Sequence, residues 1–136
     1  MVWSEQLIDT CRDPFTLWLL CSLRRDDRFY TFVKDPQALA NHVKREETRL
    51  ETLKEESNTL EPADAFYVRM MSPTWRKTHR LKAPTLADMV QELARAVSSD
   101  HLLYRNIIQQ PDSWHDLRLM LIRCQFTFSY STCKVL

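Results

Sequence analysis

Apolar side chains recur along this chain at three- and four-residue intervals, a spacing that predicts helices almost throughout. A short first helix is expected from about Ser4 to Cys11, with Leu7, Ile8 and Cys11 on one side. The second, Pro14 to about Arg25, carries FTLWLLCSL, which is apolar nearly all round, and such a helix belongs at the centre of a core. RFYTFV, residues 28–33, fits either a helical turn or a short strand. The longest helix is expected from Pro36 to about Leu60. Its Leu39, Val43, Leu50, Leu53 and Leu60 form a narrow stripe close to heptad spacing, interrupted by Glu46 and Ser57. A stripe of this kind serves either the core or a partner helix. Glu46 with Arg49 and Glu51 with Lys54 are supporting pairs three residues apart.

Further on, Pro62 to Met71 reads as a shorter helix bearing Phe66, Tyr67, Met70 and Met71. Pro84 to Ser98 is the cleanest amphipathic segment, with Leu86, Met89, Val90, Leu93, Ala94 and Val97 on one face. Asp100 is placed to cap a helix carrying Leu102, Leu103, Ile107 and Ile108. A last helix opens at Pro111 or Ser113 and carries Trp114, Leu117, Met120, Leu121 and Cys124. The tail QFTFSYST alternates apolar and polar residues, the period of an extended segment. All six prolines fit helix starts, most clearly Asp13-Pro14, Asp35-Pro36 and Ser72-Pro73, where a capping residue precedes proline at the first helical position.

The chain contains no glycine. That excludes a phosphate-cradling P-loop and a dinucleotide-binding G-x-G-x-x-G turn, and it disfavours hairpin-rich β folds. With 136 residues, 44% of them hydrophobic and 27% charged, the chain is long enough for one real core. The expected architecture is a single all-α domain over residues 1–136, a compact bundle of six or seven helices with a short extended C-terminal segment as an option. The longest apolar run, Leu17 to Cys21, is too short to span a bilayer. No basic stretch followed by an apolar run opens the chain, so no secretory leader is expected. Cys11, Cys21, Cys124 and Cys133 lack C-x-x-C spacing and read as reduced thiols of a cytoplasmic protein.

Charge changes the picture. Residues 1–64 hold nine Lys and Arg against thirteen Asp and Glu, and residues 65–136 hold ten against five, for a net +1 overall. The most one-sided stretch is TWRKTHRLKAP, residues 74–84, and no acid occurs between Asp64 and Asp88. A helix through it would put Arg76, Lys77 and Arg80 on one face. Arg76, Lys77, Arg80 and Lys82 are therefore the leading candidates for contacts to nucleic-acid phosphate, DNA or RNA, with Arg69, Lys44 and Arg45 behind them. Trp75 would either stack a base or anchor the segment. The alternatives are an acidic protein partner, pairing with the chain's own acidic helix Glu46 to Glu61, or plain solvated surface. Arg24, Arg25 and Arg28 form a smaller cluster diluted by Asp26 and Asp27.

His42, His79, His101 and His115 have no metal-ligand spacing, and no nucleophile sits in a recognisable catalytic motif, so neither a metal, a cofactor nor an enzymatic activity is expected. The terminal CKVL has the form of a geranylgeranylation signal, but its second residue is Lys and no polybasic stretch precedes it.

In size, helix content and scattered basic patches the chain resembles the small helical subunits of type I CRISPR effector complexes. The resemblance implies a non-catalytic subunit present in several copies. Such a subunit contacts other protein subunits and the nucleic-acid backbone, and it stabilises guide–target pairing or the displaced strand. The other expectation from the residues is a protein-interaction adaptor that uses the heptad-like helix and the basic stretch.

Overall fold

Seven helices follow one another in the computed structural model, which describes residues 3–23, 26–56, 60 and 62–100. They are α1 (Glu5–Cys11), α2 (Pro14–Ser22), α3 (Asp27–Lys34), α4 (Pro36–Glu56), α5 (Pro62–Met71), α6 (Pro73–Thr78) and α7 (Leu86–Ser98). The fold is all-α, with no strand among the described residues. The helices expected after Asp100, the tail QFTFSYST, the CKVL terminus, Cys124, Cys133, Arg24 and Arg25 lie outside the described residues.

Side-chain caps set most of the helix starts. Ser4 Oγ accepts the Leu7 amide at 3.1 Å, Asp13 Oδ1 accepts that of Phe15 at 3.3 Å, and Asp26 Oδ1 that of Arg28 at 2.9 Å. Asp35 Oδ1 accepts from Ala38 and Thr85 Oγ1 from Asp88, both at 3.2 Å. Ser72 occupies the cap position of α6 without a side-chain cap bond. A residue before proline is pushed out of the helical region, so Asp35 (ψ 86°) and Ser72 (ψ 128°) each end one helix and open the next, while Asp13 (ψ 116°) opens α2 after Arg12 has capped α1. Single residues thus join α3 to α4 and α5 to α6. No described residue has a positive φ, which is how a chain without glycine makes these corners.

Two open alternatives are resolved and one boundary shifts. RFYTFV is helical: Asp26 caps it, and Phe29, Phe32 and Val33 are buried on one face while Tyr30 stays 42% exposed. The helix expected from Pro84 starts at Leu86, because Thr85 is extended (φ −120°, ψ 154°) and caps it. The heptad-like stripe of α4 is internal, with Leu39, Val43 and Leu50 buried against the chain's own core and Leu53 packed beside it. That packing is the first of the two uses the stripe allows.

The centre is α2, every residue of which from Pro14 to Cys21 is buried. It packs against α1, α3, α4, α5 and α7. Trp18 meets Phe66 with ring centroids 4.8 Å apart and Tyr67 at 6.3 Å, tilted as aromatic pairs prefer. No helix among the described residues is long and apolar enough to cross a membrane.

Trp18→Ala or Leu19→Ala is expected to cost roughly 2–5 kcal/mol in denaturant melts, because each leaves a cavity in the central helix. A second expectation concerns His42, which is buried on α4 and stacked on Phe32 at 5.0 Å. Burial pushes its pKa below the ordinary value; Glu46 opposes that shift, and Arg28 and Arg45 reinforce it. The unfolded chain therefore takes up the proton more readily, and stability present above about pH 6.5 is lost as the pH falls through that value. His42→Gln should show a smaller drop in denaturation midpoint than wild type between about pH 7.5 and pH 5.5.

Candidate nucleic-acid interface

The basic stretch begins inside α6, and that six-residue helix has two differently used sides. Trp75 is 6% exposed, and its indole N–H donates to Asp100 Oδ2 at 3.0 Å. Trp75 therefore anchors the segment and does not lie open to stack a base. Asp100 also accepts from Arg69, at 3.1 Å from Nε and 3.0 Å from Nη2. His79 stacks on the Trp75 ring at 4.2 Å, and its Nδ1 lies 3.0 Å from the Trp75 carbonyl oxygen, a bond made by the Nδ1–H tautomer. Arg69, Trp75, Thr78, His79 and Asp100 line one surface depression.

Arg76 points to the other side and finds its counter-charge within the chain. Its Nε donates to Asp13 Oδ1 at 3.0 Å, its Nη2 donates to Asp13 Oδ2, and Nη1 and Nη2 both reach Glu47 Oε1 at 3.4 Å. The guanidinium carbon lies 5.0 Å above the centre of the Phe15 ring. Burial works against the charged form of Arg76, but bonding and attraction to Asp13 and then Glu47 outweigh it and raise the pKa above its ordinary value. Asp13 is shared: the carboxylate that caps α2 and accepts from Thr16 Oγ1 at 2.8 Å also receives Arg76.

The chain leaves the helix at Thr78, so the helical face expected to carry Arg76, Lys77 and Arg80 does not extend to Arg80. The cause is a competing partner, because the Leu81 amide donates to the Arg12 carbonyl at 2.8 Å and so draws the chain away. Arg12 Nη1 in turn donates to the carbonyls of Leu81 and Ala83 at 3.2 and 3.1 Å. Glu92 of α7 accepts the Lys82 amide at 3.0 Å and the Ala83 amide at 2.9 Å. Leu81 is buried between exposed Arg80 and Lys82, the alternation of an extended strand of chain with two cations outward.

The seven candidate residues therefore do not form one surface. Lys77 and Arg80 line a depression with Arg76, Asp13 and Pro73. Lys82 is exposed two residues beyond Arg80. Lys44, three residues before Glu47, lies on the side of α4 that meets Arg76, whereas Arg45 is roughly 200° around the helix from Glu47. Arg69 belongs to the other depression, held by Asp100. Among the described residues no carboxylate forms an ion pair with Lys77, Arg80, Lys82, Lys44 or Arg45, and no cluster of three His, Cys, Asp or Glu side chains is placed to hold a metal ion. Asp13, Glu47, Asp100, Glu92 and Arg12 were not legible as parts of this region. Only the acidic character of the Glu46–Glu61 helix signalled a counter-charge.

Comparison with protein-family models, with curated proteins and with solved structures finds no match.

The clamp and the free cations should separate in stability measurements. Arg76→Ala leaves two partly buried carboxylates unpaired and is expected to cost about 1–3 kcal/mol, with Arg76→Lys intermediate because it keeps charge but loses the fork. Lys77→Ala, one residue away and exposed, should stay within about 0.5 kcal/mol of wild type in the same urea titration.

Proposed function

We propose that the chain is a non-catalytic helical subunit of a nucleic-acid-binding assembly, of the kind found in RNA-guided effector complexes. It contacts the sugar–phosphate backbone through Lys77, Arg80 and Lys82, with Lys44 flanking them. The observation that carries this reading is a set of exposed cations without ion-paired carboxylates among the described residues, on a segment whose backbone is pinned by Arg12, Glu92 and the buried Leu81. A fixed backbone reduces the ordering cost of binding, and Lys and Arg in such a place suit phosphate oxygens. Arg76 and Arg69, whose charges are already answered by Asp13, Glu47 and Asp100, act as supports. A net charge of +1 suits a subunit that adds a small basic surface to partner subunits, better than a protein that binds nucleic acid tightly alone.

The test is recovery of the tagged chain with its partners from its source cells, with nucleic acid in the eluate measured across a salt series. Lys77→Ala/Arg80→Ala/Lys82→Ala should keep its protein partners and lose nucleic acid. Its salt dependence should flatten by about 0.7–0.9 for each phosphate contact removed. Retained nucleic acid together with loss of a protein partner would instead identify the surface as a dock for an acidic protein.

A further inference from the structure

Lys77 and Arg80 line the same depression, of about 400 Å³, together with Arg76, Asp13 and Pro73. That size is at the lower end of the roughly 300–1,000 Å³ range of ligand pockets. Arg76 is held there by Asp13 and Glu47. Counting Glu47, which pairs with Arg76 but does not line the depression, three cations against two carboxylates leave the cluster one positive charge. Lys82 does not line the depression; it follows the inward-facing Leu81, and its amide is held by Glu92 of α7.

Resting on the reading above, we infer that the depression is a seat for a single phosphodiester, shared by Lys77 and Arg80, and that Lys82 makes a separate contact with the same strand. The charge sum selects the class of ligand. A phosphodiester carries one negative charge, which matches the surplus. A doubly charged phosphate monoester would bring a second negative charge beside Asp13, beyond that surplus. Lys supplies a mobile point charge and Arg a planar donor fork, so the two reach one phosphate from different directions without competing for the same oxygen. Arg76, held by Asp13, and Pro73 are also in the lining, and the apolar proline ring suits the sugar edge of a nucleotide.

The experiment is a salt titration of the full chain with a fluorescently labelled oligothymidylate, begun at low ionic strength and read by anisotropy. Lys77→Ala, Arg80→Ala, their double variant and Lys82→Ala are compared, all with Arg76 intact. The shared seat predicts that the double variant lowers the salt slope by about 0.7 in total, one single-strand phosphate contact, and that Lys82→Ala lowers it separately by about the same. Orthophosphate at matched ionic strength should not displace the oligonucleotide. A double variant that loses about 1.4 would show two independent phosphates and overturn the shared seat while leaving the nucleic-acid reading intact. An unchanged double variant beside a weakened Lys82→Ala variant would show the depression to be unused, again without touching that reading. Unchanged slopes in all variants, or displacement by polyglutamate at least as effective as by unlabelled oligonucleotide, would remove both.

Discussion

The guanidinium of Arg76 ties together parts of the chain that periodicity alone leaves separate. From α6 it reaches Asp13 at the α1–α2 corner, Glu47 on α4 and the ring of Phe15 on the central helix. The planar fork meets both Asp13 oxygens and still touches a second carboxylate, a geometry of which lysine would keep the charge but not the paired bonds. The arrangement also fixes Asp13, whose carboxylate caps α2, so one ion pair governs both where the central helix starts and where the basic segment lies against it. Removing the guanidinium would leave two carboxylates together on partly buried ground, which makes the contact more costly to lose than its exposure suggests.

The helical architecture was largely legible because the corners of this chain are made by residue types with a narrow use. Asp-Pro and Ser-Pro force an extended residue and then a preset helical φ, and they need no glycine. That is why α2, α4 and α6 begin where the sequence said they would. The misplacements have the same origin. At Pro84 the proline stands two residues before the first helical position, because Thr85 supplies the cap. RFYTFV was too short for its period to speak, and the Asp26 cap decided it.

The site was less legible, for a physical reason. Residue runs report where charge is, but the partner of each charge is set by packing. Arg76 pairs with Asp13 across 63 positions and with Glu47 across 29, and Arg69 pairs with Asp100 across 31. None of these separations leaves a mark in spacing along the chain. The block that looked like one basic surface is therefore two: residues that hold α6 in place, and residues that stay in solvent. Trp75 belongs to the first group, as its contact with Asp100 shows.

This division bears on how the two functional alternatives compare. The adaptor reading drew on the apolar stripe of α4, and that stripe is spent on the chain's own core. What α4 leaves outward is mixed in sign, with Lys44, Arg45, Glu51, Lys54, Glu55 and Glu56 exposed, and a mixed face selects weakly for any partner. The segment after α6 differs because its neighbours have been sorted. The carboxylates nearby are bound to Arg76 or to backbone amides, and the buried Leu81 turns Arg80 and Lys82 outward. Exposed cations without an ion-paired carboxylate among the described residues are the feature the fold isolates, and the proposed anionic ligand suits their sign. A repeating, singly charged backbone meets that demand without requiring any particular side-chain order in the partner, which is what a small architectural subunit needs if it is to act on every sequence alike.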